Sequence, residues 1–288
     1  MNKTTRETLQ KYGLAPSKQR GQNFLVHERT ARTIVKKAGF TADDHVVEVG
    51  VGLGALTTIL AETAGQVTGF EIDRGIIRYH QEQKLLPANV ELIHADILKT
   101  DFQALREKIG HPLKIISNLP YSISNPFIFV LVDNRTLIES AVILLQKEVA
   151  DRLQAAPGNK DYGIPSVLLQ SCATVTGLMN INPAEFHPRP NVDSSLIRVK
   201  FSPSGYDDKI FTVLRALVRA AFSARRKTLI NNLLSSLPPL RDHHQDKAVK
   251  KQWLLEVLDA AGIRHDIRAE RIEVEQFRKL AEIVRDAA

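Results

Sequence analysis

The chain has 288 residues with 43% hydrophobic and 25% charged side chains, enough for one large domain or two unequal ones and close to the average of globular proteins. No run reaches the roughly eighteen apolar residues of a membrane span, and the polar start Met1 to Arg6 has no signal-peptide core; the single Cys172 rules out a disulfide framework, so a cytoplasmic protein without membrane contact is expected. The net charge of +7 is uneven, with nine Lys/Arg against two acids in residues 1–40, fourteen against eighteen in 41–205 and sixteen against twelve in 206–288, which suits a catalytic body held against a polyanion by basic ends.

Residues 18–27, Lys-Gln-Arg-Gly-Gln-Asn-Phe-Leu-Val-His, mix charge, amide and apolar groups ahead of a helix that Glu28 opens and Gly39 ends. An alternation follows: apolar Val46 to Val49, helical Ala55 to Ala64, apolar Val67 to Ile72, helical Gly75 to Leu86, apolar Val90 to Ile93, a helix from Phe102, and apolar Leu113 to Ile116. Strand–helix alternation at this spacing predicts an α/β fold with a mostly parallel sheet covered on both faces and ligands at the carboxyl ends of its strands.

Val46 to Thr57 reads as strand, glycine turn and helix. Glycines at 50, 52 and 54 let backbone approach a ligand, and the N–H groups opening the next helix favour an anionic group. Gly50, Gly52 and Ala55 also satisfy the dinucleotide fingerprint, so glycine spacing alone does not separate a nicotinamide cofactor from S-adenosylmethionine. Glu71, at the end of the second strand, is expected to accept from the two ribose hydroxyls that either cofactor carries, and Asp96, after the third strand, to meet the cofactor's adenine amine.

Asn118-Leu119-Pro120-Tyr121 stands where the fourth strand leaves the sheet. Pro120 has no N–H and disfavours helical geometry at Leu119, so the Leu119 carbonyl is expected to point into a pocket beside the Asn118 side chain. Two neutral acceptors suit an adenine exocyclic amine, whose lone pair is delocalised into the ring. One acceptor for each hydrogen draws the nitrogen towards tetrahedral geometry without a strong base. Tyr121 offers an aromatic face for a base that has left its stack.

Further on, a helix is predicted from Asn125-Pro126 to Val132 and a strand from Ser140 to Leu145. Residues 155–161 form a polar turn cluster expected to be a mobile loop, and Cys172 is expected to be a buried small hydrophobe. Phe186, in the Pro-stiffened run Phe186 to Asp193, is a candidate second stacking face opposite Tyr121 or else a core residue. Residues 193–201 alternate like a half-exposed edge strand. After Ser202 to Gly205 only helices are predicted, over 207–222, 225–234, 246–260 and 271–285, which sets a boundary near 205. Arg225, Arg226 and Lys227, between two of these helices, could grip phosphates. Asp242, His243, His244 and Asp246 have metal-ligand chemistry but no spacing that puts three on one face, so no metal is expected.

Six motifs then read together: Gly21-Gln22-Asn23-Phe24-Leu25, Glu48 to Thr57, Glu71-Ile72-Asp73, Asn118 to Ser124, Phe186-x-Pro188-x-Pro190-x-Val192-Asp193-Ser194, and Ala221-Phe222-x-x-Arg225-Arg226-Lys227-Thr228. In this order they closely resemble the KsgA-type small-subunit ribosomal RNA adenine dimethyltransferases over about residues 15 to 280. The resemblance implies a Rossmann-like S-adenosylmethionine-dependent methyltransferase domain, here residues 1–205 with its basic arm, and a small all-helical RNA-binding domain, residues 206–288. It implies four methyl transfers to two adjacent adenines near the 3′ end of small-subunit rRNA, in a pre-ribosomal 30S-type particle, by a monomer that also checks assembly. By motif position Asn23, Leu25, Gly50, Gly52, Glu71, Asp96 and Asn118 would hold the cofactor, and Asn118, Leu119, Pro120, Tyr121 and Phe186 would surround the target base. Val51 stands where many members have Pro, and residues 236–251 follow no family pattern. The competing readings are a large-subunit rRNA methylase of the antibiotic-resistance kind, disfavoured by Arg225-Arg226-Lys227-Thr228, and a non-catalytic RNA-binding factor, disfavoured by the intact Asn118 motif. A nicotinamide oxidoreductase would need an acid/base pair for hydride chemistry, and none accompanies the fingerprint.

Overall fold

Local sequence rules set most element boundaries. Helix α2, Glu28–Ala38, follows a short α1, Thr5–Lys11, and a two-residue strand β1, Phe24–Leu25; it ends at Gly39, whose left-handed φ of 70° lets its N–H return to the Val35 carbonyl. Ala31, Ile34, Val35 and Ala38, spaced at helical intervals, turn one face of α2 into the core. The remaining elements of the α/β region are β2 His45–Val49, α3 Thr57–Thr63, β3 Gln66–Glu71, α4 Arg74–Gln83, β4 Val90–His94, α5 Phe102–Ile109, β5 Leu113–Asn118, α6 Ser124–Asp133 and β6 Ile138–Gln146. Asp73 and Asp101 cap α4 and α5, each accepting two backbone N–H groups of the first turn. After them come α7 Lys147–Gln154, α8 Ile164–Gln170, β7 Ala173–Ile181, β8 Phe186–His187, β9 Ser194–Phe201, α9 Asp208–Ala221, α10 Leu229–Ser236, α11 Lys247–Ala260 and α12 Val274–Asp286.

The computed structural model describes residues 5–14, 21–202, 208–236 and 246–287. The chain divides into two compact units, one of Met1–Ala150 with Thr174–Ser202 and the other of Asp151–Ala173 with Pro203–Ala288. The second unit therefore takes in residues 151–173 as well as the stretch beyond 205. The segments 203–207 and 237–245, which include the proposed linker and most of the Asp242 to Asp246 cluster, lie outside the described residues, as do 1–4 and 15–20 of the basic arm.

The first unit is built on a sheet of order β4-β3-β2-β5-β6-β9-β7, in which β4 to β6 run parallel and β9 runs antiparallel to β6. Apolar residues of α2 and α3, among them Ile34, Val35, Ile59 and Leu60, pack on Val46, Val67, Ile116, Val142 and Leu196 of the sheet. Since β2 lies between β3 and β5, the chain crosses over in opposite directions from it, and the crevice beyond its carboxyl end is where such folds take ligands.

Residues 194–201 do not form an edge. Strand β9 lies inside the sheet with most of its residues buried, because β7, which the sequence did not mark as a strand, covers its outer side. Strand β7 carries exposed residues at Thr174, Thr176 and Gly177, the pattern of the real edge. A separate antiparallel ribbon pairs β1 with β8, setting Phe24 opposite His187 and Leu25 opposite Phe186.

In the second unit α9 packs against α10 and α12, and Leu214, Leu217, Val218, Leu233, Leu258, Phe277 and Leu280 are buried. The Ala155 to Asp161 turn is tied down rather than loose: the Gly158 N–H donates to the Glu270 carbonyl at 2.6 Å, and the Tyr162 hydroxyl donates to the Ile272 carbonyl at 2.9 Å. Cys172 is buried, with its thiol near the Leu168 and Leu169 carbonyls. No helix of the described residues is long and apolar enough to cross a membrane, and no group of three or more His, Cys, Asp or Glu among them could hold a metal ion.

Candidate active site

The turn after β2 is held by backbone and side-chain bonds from β3 and α4. Gly50 and Gly52 have φ of 81° and 54°, and a Cβ on Gly52 would fall 3.2 Å from the Phe24 ring, so both positions demand glycine. The Gly50 and Val51 N–H groups donate to the Phe70 carbonyl, the Gly54 N–H to the Val51 carbonyl, and the Gly52 N–H to Glu71 Oε2 at 2.9 Å. The Gly52 carbonyl accepts from His80 Nε2 at 2.7 Å. Several of the N–H groups that a pyrophosphate would use are thus already committed, and α3 does not begin until Thr57. The N–H groups of Gly50, Val51, Gly52 and Gly54 therefore contribute nothing to the expected anion cradle. That argues against a dinucleotide, whatever the glycine spacing allows.

A cavity of about 220 Å³ lies over this turn, at the carboxyl ends of β2 to β5. Asn23, Leu25, Gly50, Gly52, Glu71, Asp96, Asn118 and Pro120, which the sequence nominated separately, all line it. Glu48 lines it too. Three acids therefore face one cavity, and among the described residues no Lys, Arg or His lines it. Glu71 is 5% exposed; its other oxygen accepts from the Ile72 and Asp73 N–H groups, both at 2.9 Å. Burial pushes its pKa up, and the bonds from Asp73, Gly52 and Ile72 oppose that rise. Asp96 Oδ1 caps a short 3₁₀ turn by accepting from the Leu98 N–H, and the carboxylate has acceptor capacity to spare. Ile72, Ile97 and Leu98 give this acid-rich space apolar walls.

Strand β5 ends at Asn118, whose Nδ2 donates to the Asn23 carbonyl at 3.0 Å. That bond fixes the amide and leaves Oδ1 as its accepting end. Asn23 in turn donates to the Gly21 carbonyl at 3.1 Å, and Gly21 lies so close to the next turn that a Cβ there would be 3.3 Å from the Tyr121 nitrogen. Pro120 adopts φ −55° and ψ 130°, carrying the chain out of the sheet in extended form. Leu119 is buried, 2% exposed as a whole residue. Tyr121 is partly buried, its hydroxyl 2.8 Å from Ser194 Oγ; burial raises its pKa and the Ser194 bond opposes the rise. Neither Leu119 nor Tyr121 is part of the cavity wall.

The residues in this cavity suit a cationic cofactor. Acids line it without bases, and one buried carboxyl oxygen, Glu48 Oε2, has no hydrogen-bond partner among the described residues. The sequence pattern of the ribosomal RNA adenine dimethylases matches residues 15–284. The chain belongs to that family. It is 48% identical over 97% of its length to the ribosomal RNA small subunit methyltransferase A of Desulfotalea psychrophila, covering 95% of that protein. The crystal structure of a dimethyladenosine transferase from Plasmodium falciparum matches it with a TM-score of 0.73 at 26% identity, over 89% of this chain and 95% of the other. The 23S rRNA methyltransferase ErmE shares the fold, with a TM-score of 0.65 at 24% identity over 91% of this chain and 99% of the other. The protein is thus an S-adenosylmethionine-dependent rRNA adenine dimethyltransferase with a Rossmann-like fold.

For a dimethylase of this family, the structure separates the candidates for the target base. Phe186 is 4% exposed, paired with Leu25 and packed in the core with Ile181 and Leu196. In this structure its ring is thus held among apolar core neighbours. Two residues escaped the sequence reading. Glu48 was hidden because a charged residue inside an apolar strand carries no periodicity signal, and His80 because it lies 28 residues from the carbonyl it holds. Arg225, Arg226 and Lys227 lie in the second unit.

When bound, S-adenosylmethionine supplies an electrophilic methyl group. Asn118→Ala should lower single-turnover methylation by on the order of a hundredfold, as loss of one preorganised polar group at a reacting centre commonly does. Rapid-quench measurement with unmodified rRNA substrate checks this, and RNA affinity should be unchanged.

Proposed function

We propose that this chain dimethylates the exocyclic amines of two adjacent adenines near the 3′ end of small-subunit rRNA, acting as a cytoplasmic monomer on a pre-ribosomal small-subunit particle. The observation that carries the chemistry is the anchored Asn118 amide at the end of β5, beside an acid-lined cavity with no base on its wall among the described residues. The small-subunit target is supported by the 48% identity to a relative whose name states that specificity. Asn118 Oδ1 and the Leu119 carbonyl each take one amine hydrogen. For the second methylation one hydrogen remains, and one acceptor holds it while the new methyl turns away. Tyr121 supplies the face against which the base stacks.

The second unit supplies the grip on RNA. Arg225, Arg226 and Lys227 are exposed on the turn between α9 and α10. Buried Asn232 shapes that turn, donating to the Ala221 carbonyl at 2.6 Å and the Ala224 carbonyl at 3.0 Å. The Leu229 N–H bonds the Ile267 carbonyl at 2.8 Å, which places the turn beside a second one carrying exposed Arg264, Arg268 and Arg271. Arg225 Nη2 also donates to the Lys160 carbonyl at 3.2 Å. Acids are fewer here, and Asp266 is paired with Arg264. Two adjoining turns rich in exposed arginine form a surface for phosphates.

Labelled S-adenosylmethionine incubated with unmodified small or large subunits tests the target. Label on two adjacent adenines near the small-subunit 3′ end is expected, and label confined to the large subunit would replace this reading with the antibiotic-resistance kind of activity. Changing Arg225 and Arg226 together to Ala should weaken RNA binding and flatten the plot of log affinity against log salt by about 1–2 units. A lower melting temperature with an unchanged slope would assign those arginines to folding instead.

A further inference from the structure

Glu48 sits in the middle of the sheet, on β2, with 1% of its surface exposed. Its strand neighbours are Gly69 on β3 and Ile116 on β5, neither of which offers a polar side chain. From the end of β3 the charged group that acts on it is the Glu71 carboxylate, of the same sign; from α3 it meets the Thr57 hydroxyl. Asp96 adds a third acid to the cavity wall. His80, from α4, is committed to the Gly52 carbonyl and burial pushes its pKa down, so it remains neutral. Among the described residues nothing cationic lines this cavity, and Glu48 Oε2 has no hydrogen-bond partner.

An unpaired carboxylate in such a place is costly, and the cheaper state is the neutral acid. Burial pushes the Glu48 pKa up to about 8; the Thr57 hydroxyl opposes that rise, and the Glu71 charge, the smallest of the three effects, adds to it. S-adenosylmethionine brings a sulfonium and an ammonium charge, which are what an ionised acid here lacks. We propose that Glu48 is protonated in the empty cavity and releases that proton to solvent when the cofactor binds, so that cofactor binding and deprotonation of Glu48 are one coupled step. This rests on the reading of the cavity as the cofactor site. It adds that the cavity's charge is adjustable, neutral enough to stay folded when empty and anionic enough to hold a cation when filled.

The linkage has a defined sign. The folded pKa lies above the ordinary value, so the unfolded chain loses this proton first; the stability of the empty protein is full below about pH 4.5 and falls as pH rises towards 8. Cofactor affinity runs the other way, rising by up to about tenfold per pH unit until Glu48 ionises unaided.

Calorimetric titration of the full chain with S-adenosylmethionine at pH 7, in buffers of differing ionisation enthalpy, counts the protons. Close to one proton released per cofactor bound is expected in the parent, and none in Glu48→Gln. Tight binding without proton release in the parent, or undiminished release in Glu48→Gln, overturns the proposal while leaving the cofactor site intact. Failure of the parent to bind the cofactor overturns the reading of the cavity, and the proposal with it. Should Glu48→Gln fold but not bind, thermal melts of the two empty proteins decide. A parent that loses stability between pH 5 and 8 while the variant does not supports the coupling, and parallel curves refute it.

Discussion

The Gly52 peptide is fastened at both ends, its N–H to the Glu71 carboxylate and its carbonyl to the His80 imidazole, and the site is arranged around that fastening. A glycine turn with three residues at positive φ is entropically costly to order. Here a strand end and a helix each contribute a side chain that orders it. The Glu71 bond occupies the Gly52 N–H, which would otherwise be open to a phosphate. The turn that resembles a dinucleotide fingerprint in sequence thus lies in a cavity wall that also carries Glu48, Glu71 and Asp96.

The two halves of the site follow opposite electrostatic rules. On the cofactor side, Glu48, Glu71 and Asp96 face a space walled by Ile72, Ile97 and Leu98, where low polarity strengthens any attraction to a cation. On the side proposed for the target base the groups are neutral: an amide pinned by Asn23, a backbone carbonyl beside a proline, and a phenol within hydrogen-bond distance of Ser194. A carboxylate in place of Asn118 would compete with the cofactor's acids for positive charge and would draw a proton. The Asn23 carbonyl joins the halves, because Asn23 lines the cofactor cavity and also orients the amide.

Much of this could be read from the sequence, for reasons that differ by element. Strands β2, β3 and β5 announced themselves as apolar runs because parallel strands are buried on both faces, and Gly39 marks a helix end through local backbone rules. The cavity residues Asn23, Gly50, Glu71, Asp96 and Asn118 were nominated by motif and strand-end position, and they converge because a parallel sheet brings its strand ends together. What escaped depends on long-range packing. The β9 pattern resembles an edge, but β7 decides whether it is one. Phe186 carries an aromatic ring in a stiff segment, but its pairing with Leu25 turns the ring inward. His80 and Glu48 matter through contacts that no local window contains. The resemblance supplied the substrate class, which neither periodicity nor charge could have specified.

If neutral acceptors and not an enzyme base activate the amine, the pH dependence of the chemical step shows it directly. Single-turnover methylation of unmodified rRNA at saturating S-adenosylmethionine removes the contribution of cofactor binding. The account predicts a rate that is level between about pH 6 and 9, since neither an amide nor a peptide carbonyl titrates there. A rate that rises with pH along the titration of a single protein group would show that a base takes the proton in the rate-limiting step, and would contradict it.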